Sequence, residues 1–350
     1  MIKIAKREEV SKNHALLVRT VAIILALIFT GIFIMIIGYN PLVVFKEMFL
    51  GAVGTQMRLQ ETIHKAVPLI ITSLGILVAF KMKFWNIGAE GQIMMGALGA
   101  SYIALNYGEA MARPVLLLFM ALASMVCGGI WALIPAFFKV KMGTNETIFT
   151  LMLNYVAIKI VQYLQFGPWK DPAATGFPKI PNFPQNAILP SVMGIHIGWI
   201  IALILTVIMY IFIKYTKKGY EIEVVGESIN TAKYAGMNVN WIILFAITLS
   251  GGLIGLVGMI QASALEKTLS YTLSGGYGYT AIITAWLSGL KAQYVLITSL
   301  AFAILLQGGS FVQVSMQIPS AVAGMMQGII LFFVLGSEFF VKYKLVRRAK

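Results

Sequence analysis

The sequence predicts an all-α protein that crosses a membrane about ten times, and three observations predict it. Hydrophobic residues make up 59% of the chain and charged residues only 11%, less than half the roughly 25% of a soluble domain. The apolar residues fall into continuous runs near the ~20 residues that one helical span needs. These runs do not alternate as strands do, so helices are the expected way to satisfy the backbone in lipid. The basic residues sit in short loops between the runs, which is how membrane topology is written. That dispersal also argues against nucleic acid as the reason for the net charge of +14.

The first run, about 17–38, follows a basic stretch of Lys3, Lys6, Arg7, Lys12 and Arg19. It is long for a signal-peptide core and no small-x-small site follows it. It stops at Gly38-Tyr39-Asn40-Pro41, so an uncleaved anchor is expected. Nine more spans are expected at about 66–80, 91–107, 114–137, 147–165, 191–213, 240–262, 279–290, 293–309 and 319–341. The second, third, eighth and ninth are short, with Pro68, Gly88, Gly91, Gly289 and Gly308-Gly309 as interruptions, the pattern of broken transporter helices. Fusing 279–309 into one kinked or re-entrant segment is the alternative, and it gives nine spans.

Charge separates these counts. With ten spans and the N-terminus inside, nineteen of the 27 Lys and Arg fall in inner loops and seven in outer loops, with Lys159 inside the fifth span. Nine spans would place the basic tail outside, against the positive-inside rule. The expected organisation is a single transmembrane domain over 1–350. It has an inner segment 1–16, an outer loop 166–190, an inner loop 214–239 and an inner tail 342–350.

No GxxxxGK[ST], HExxH, CxxC or GxSxG motif occurs, so no ATP site, catalytic residue, cofactor or metal site is expected in this chain. His14, His64 and His196 lie near predicted span ends and are expected in interfacial or capping roles. Cys127, the single cysteine, lies in an apolar run as a small packing residue. All thirteen acidic residues lie in loops or near span ends, which disfavours an ion-coupled secondary transporter with its midplane carboxylate. Lys159 either lines a pathway, snorkels or pairs with a neighbouring helix.

Two polar clusters carry the candidate site. In Trp85-Asn86-Ile87-Gly88-Ala89-Glu90-Gly91-Gln92, Asn86 is expected to cap a helix with Glu90 in its first turn, where the dipole favours an acid. The segment is either a helix break on the translocation path or a well-capped cytoplasmic turn. In Thr144-Asn145-Glu146-Thr147, Thr144 or Asn145 is the expected cap, and Asn154 lies two turns deeper. An amide there needs a partner, either as helix–helix contact or in a pore lining; Gln307, Gln313 and Gln327 share the ambiguity. Asn86, Glu90 and Asn154 are the expected pathway or gate residues.

Two loops stand out as well. The proline-rich loop 166–190 is expected to be extended, with Trp169, Phe177 and Phe183 resting at the interface. In the loop 214–239, Ser228 and Asn230 are N-cap candidates for a short helix carrying Ala232, Tyr234 and Ala235 and closed by Gly236.

Five segments occur in order: WNIGAEGQ at 85–92, NETIFTLMLNY at 145–155, GESINTAKYAGMNV at 226–239, GYGYTAIITAWLSGL at 276–290 and IPSAVAGMMQGIILFFVL at 318–335. Together they resemble the permeases of bacterial ABC importers in the ribose and branched-chain amino acid permease family, most of all its nucleoside branch. The resemblance covers about residues 15–341. It implies a fold similar to the vitamin B12 type of importer, with about ten helices per permease in the bacterial cell membrane. It also implies three partners: a second, related but different permease chain, a separate ABC ATPase and an extracytoplasmic binding lipoprotein.

The resemblance assigns Gly226, Asn230, Ala232, Tyr234, Ala235 and Gly236 as the coupling segment that fits the ATPase. The chain departs from the family pattern in three places. Gly226-Glu227-Ser228 replaces a G-x-N. Trp286-Leu287-Ser288-Gly289 replaces a Leu-Leu-Gly run. Gln317 stands where an acid is frequent. A simple sugar as solute is the neighbouring alternative. A polytopic membrane enzyme is a further class, without a catalytic constellation to support it.

Overall fold

The computed structural model describes residues 2–6 and 11–347, so Arg7, Arg348 and Lys350 of the basic ends lie outside the described residues. Thirteen α-helices are found among the described residues. The first seven are α1 (Lys12–Ile36), α2 (Pro41–Val53), α3 (Gln56–Lys81), α4 (Ala89–Tyr107), α5 (Arg113–Met142), α6 (Glu146–Phe166) and α7 (Gly198–Tyr215). The rest are α8 (Lys217–Glu227), α9 (Ile229–Tyr234), α10 (Val239–Ile260), α11 (Tyr277–Leu287), α12 (Ala292–Ser315) and α13 (Ser320–Lys342). Eight of them, α1, α3, α5, α6, α7, α10, α12 and α13, are long and apolar enough to cross a membrane. α4 and α11 complete the ten expected segments.

Residues 1–65 and 301–350 form one compact unit. Its long helices α1 and α13 pack together, with the Phe29 and Phe333 rings 5.0 Å apart. The end strands Ile2–Lys6 and Tyr343–Arg347 pair antiparallel, with Ile2 opposite Arg347. Both described ends of the chain therefore lie side by side.

Helix α2 was not expected. Thirteen residues are too few to span, yet its start carries a clear signal: Asn40 Oδ1 accepts from the Leu42 N–H at 3.0 Å and Pro41 opens the helix. The second expected span begins at Gln56 rather than at 66, because its polar first turns have partners. Thr62 Oγ1 donates to the Ala52 carbonyl at 2.7 Å and Lys65 Nζ donates to Ser310 Oγ at 2.6 Å. The Arg58 guanidinium lies 4.1 Å from the centre of the Phe311 ring. The second and ninth segments are thus full length. Pro68 and Gly308-Gly309 interrupt nothing, since they lie inside α3 and α12; Gly91 likewise lies inside α4.

Residues 66–300 form the second unit. Its centre is α4, α5 and α10, which meet on glycines. A Cβ on Gly96 would lie 2.2 Å from the Gly255 carbonyl oxygen, and one on Gly258 would lie 2.1 Å from that of Ile93. Small residues let the backbones approach where lipid supplies no hydrophobic drive. α3 joins this core through Ser250 Oγ, which donates to the Gly75 carbonyl at 2.7 Å. The peripheral helix α7 leaves Ile204, Val207, Ile208 and Ile211 about half exposed, as a lipid-facing surface should.

The expected breaks at Gly88 and Gly289 are real. Gly289 (φ 62°) and Leu290 (φ 56°) turn the chain between α11 and α12, so 279–309 is two helices, as ten segments require. The sixth span starts later than expected, because 191–196 forms a small hairpin that pairs Ser191 with His196; left-handed Met193 and Gly194 make its turn. α10 runs on into a wider π-helical turn, Gln261–Glu266. The loop 166–190 is clasped onto that turn: the Phe183 N–H donates to the Lys267 carbonyl at 2.8 Å and Thr268 Oγ1 donates to that of Ile180 at 2.9 Å. Phe183 is therefore buried rather than interfacial, whereas Phe177 stays exposed.

Candidate functional site

The residues 86–92 are held by one face of α6. Asn145 caps that helix, its Oδ1 accepting from the Thr147 and Ile148 N–H groups at 3.0 and 3.3 Å. Glu146 follows in the first turn and pairs with Lys139 at 2.7 Å. Thr150 and Asn154 come next at one-turn intervals on the same buried face. Thr150 Oγ1 accepts from the Ile87 N–H at 3.1 Å. Asn154 Oδ1 accepts from the Gly91 N–H at 2.8 Å, and its Nδ2 donates to the Ile87 carbonyl at 2.9 Å and to the Tyr279 hydroxyl at 3.3 Å. The amide thus uses both of its ends, on the 87–91 segment and on Tyr279.

Asn86 stands two residues outside α4 instead of capping it directly. Its Oδ1 accepts from the Gly88 N–H at 3.0 Å, and its side chain exchanges hydrogen bonds with Gln92 at 3.0 and 3.2 Å. Glu90 lies in the first turn of α4 but serves the start of another helix. Its Oε1 accepts from the Gly278 N–H at 2.7 Å and from that of Tyr279 at 3.4 Å. Ser274 and the Gly276 backbone add further hydrogen bonds to the carboxylate. The first N–H groups of a helix have no partner within it, and they carry the positive end of its dipole. One carboxylate therefore caps α11 while sitting at the start of α4. A Cβ on Gly278 would lie 2.6 Å from the Glu90 nitrogen, so the two helix starts touch.

This joint brings Asn86, Glu90 and Asn154 together, with exposures of 0, 2 and 0%. α11 has eleven residues, about 16 Å of rise. Its last turn is level with the end of α3, since Trp286 stacks on Trp85 with centroids 5.5 Å apart and approaches Phe80 at 5.9 Å. Glu90, at the other end of α11, thus lies about 16 Å along that helix from that level. Glu90 is thus a buried carboxylate in the first turn of α4, where the sequence places it. Lys159, by contrast, faces outward and donates to Gln162 on its own helix at 2.9 Å.

The second group of candidate residues builds an exposed surface. The segment 214–239 holds two helices, α8 and α9, where one was expected. Thr216 Oγ1 caps α8 by accepting from the Gly219 N–H at 3.1 Å. Ser228 caps α9, accepting from the Thr231 N–H at 3.2 Å, and Asn230 lies within the helix. Gly236 closes it in the left-handed region at φ 71°, where glycine carries no Cβ penalty. Ala232 is the buried anchor, whereas Tyr234 is 96% exposed.

α8 rests directly on the end of α3. A Cβ on Gly226 would lie 1.8 Å from the Lys81 carbonyl oxygen. Lys81 pairs with Glu223 at 2.7 Å, and Lys83 Nζ donates to the Glu227 carbonyl at 3.3 Å. Only residues 82–89 separate this contact from Glu90. Neither the Gly226 contact nor the Glu90–Gly278 pair has a sequence signal beyond the presence of a glycine.

A family model described as branched-chain amino acid transport system / permease component matches residues 58–335. A glucose ABC transporter permease protein of Haloferax volcanii is 32% identical over 336 residues, covering 92% of this chain and 87% of that one. A nucleoside ABC transporter permease protein of Lactococcus lactis is 28% identical, covering 93% of this chain and 92% of that one. A guanosine ABC transporter permease protein of Bacillus subtilis is 29% identical, covering 94% and 95%. All five motif segments fall inside the matched region. With its family model matching most of the chain and its helices long enough to cross a membrane, this multi-pass membrane protein belongs to the family of branched-chain amino acid transport system permease components.

Proposed function

We propose that this chain is the channel-forming permease of an ATP-driven importer of nucleosides. The observation that carries the reading is the similarity, over more than nine-tenths of the chain, to permeases named for a nucleoside and for guanosine. It joins a second, related but different permease in the bacterial cell membrane. A separate ABC ATPase uses the ATP, and this chain catalyses no reaction of its own. A binding lipoprotein delivers the solute at the outer loop 166–190. Both termini and the segment 214–239 face the cytoplasm, in keeping with the charge split.

In this reading Gly226, Asn230, Ala232, Tyr234, Ala235 and Gly236 couple the chain to the ATPase. A displaced α8–α9 pushes on the end of α3, and residues 82–88 carry the push to the Glu90 joint. Asn86, Glu90 and Asn154 there act as the gate, because parting α11 from α4 opens a path between two short helices. A simple sugar is the second reading, favoured by the 32% identity to the glucose permease.

Uptake of labelled guanosine and uridine, set against glucose and ribose, in a strain lacking the gene and complemented with it decides between them. Restored nucleoside uptake alone is expected. Restored sugar uptake alone would replace the first reading by the second.

A further inference from the structure

Three lysines from three separate chain turns meet in one pocket of the second unit. Lys81 ends α3, Lys214 ends α7 and Lys291 lies between α11 and α12; with Tyr210, Tyr220 and Glu223 they line a cavity of about 360 Å³. Glu223 is its one carboxylate, and it is engaged by Lys81 at 2.7 Å. The other two ammonium groups have only neutral neighbours among the contacts seen. Lys214 Nζ donates to the Tyr210 hydroxyl at 3.1 Å and lies 5.3 Å from the centre of the Tyr215 ring. Lys291 Nζ lies 5.9 Å from the centre of the Tyr294 ring. The cavity thus carries excess positive charge, and the tyrosine hydroxyls add donors.

The walls above the pocket say which anion fits. The two helices that reach the pocket, α7 and α12, carry exposed apolar side chains farther along: Ile211, Ile208, Val207 and Ile204 on α7, and Ile297 and Leu300 on α12, all 40–64% exposed. A soluble anion has no use for such walls, whereas a lipid places its phosphate in the basic pocket and its chains along the apolar faces. Basic pockets between helices on the cytoplasmic side are where anionic headgroups bind. The three lysines also belong to the loops that the charge pattern assigns to the inner side.

We propose that this pocket binds the phosphodiester headgroup of an anionic phospholipid, with Lys214 and Lys291 as its principal contacts. Because Glu223 and Tyr220 are on α8, an occupied pocket braces the same helix that rests on Lys81. The assignment does not depend on which solute is carried.

Native mass spectrometry of the full chain in detergent, with added phosphatidylglycerol or phosphatidylcholine, tests this. Preferential retention of phosphatidylglycerol is expected. The Lys214→Gln/Lys291→Gln variant should lose that preference at least about fivefold, whereas Lys217→Gln/Lys233→Gln, which removes the same charge elsewhere, should keep it. Each single variant, Lys214→Gln and Lys291→Gln, should fall between, which covers the case of a poorly folded double variant. Equal retention of the two lipids by the wild type, or an unchanged preference in the Lys214/Lys291 variants, overturns the proposal. Displacement of the lipid by millimolar inorganic phosphate would make the pocket a free-anion site and overturn it as well.

Discussion

Replacing Gly226 with alanine should cost this protein both stability and coupling. The added Cβ would stand 1.8 Å from the Lys81 carbonyl oxygen and 2.8 Å from the Met82 Cα. A carbon–oxygen contact needs roughly 3.3 Å, so α8 must withdraw from the end of α3 by about 1.5 Å. Both partners are backbone and no rotamer can absorb the clash. Overpacking of this kind costs about 1–3 kcal/mol, and the upper end applies here. The same withdrawal breaks the 2.7 Å pair between Lys81 and Glu223. Thermal unfolding of the purified chain and solute uptake by the assembled transporter read the two effects. Gly324→Ala is the control, since its Cβ meets nothing within 4 Å and alanine favours the helix. A Gly226→Ala protein that melts and transports like the wild type would refute the reasoning.

The joint and the exposed helix make further predictions. Glu90→Ala leaves the Gly278 and Tyr279 N–H groups without their acceptor in a buried site, at about 1–3 kcal/mol for each unsatisfied group. Glu90→Gln retains an acceptor oxygen and should lose less; equal melting of both variants and the wild type contradicts the capping role. Tyr234→Ala touches a side chain that is 96% exposed, so stability should change by less than about 0.5 kcal/mol. Uptake should nevertheless fall about tenfold or more, with membrane insertion intact; unchanged uptake would remove α9 as the coupling surface.

Local signals in the sequence located the helix caps well. Asn145, Ser228 and Gly236 do in the structure what their positions announce, because a cap is settled within four residues. Hydropathy placed most spans but missed where polar turns are held by distant partners. Residues 56–65 look too polar for a span until Thr62 is seen bonded to Ala52 and Lys65 to Ser310. α2 was legible in Asn40-Pro41, yet its thirteen residues fall below the length a span search recognises. The joint was half legible. Asn86 and Glu90 stood out as a cap and a first-turn acid, and Asn154 as an amide needing a partner, but the partner of Glu90 lies 188 positions away at Gly278. No local pattern marks such a pair.

In the proposed function this chain, with a second permease and an ATPase, moves nucleosides at the expense of ATP. Reconstituting the three subunits with the binding lipoprotein into liposomes, with ATP on the ATPase side, measures it directly. Labelled guanosine is expected to accumulate inside the ATP-bearing compartment, and to do so only with hydrolysable ATP. Accumulation without ATP, or of glucose with no guanosine, would contradict it.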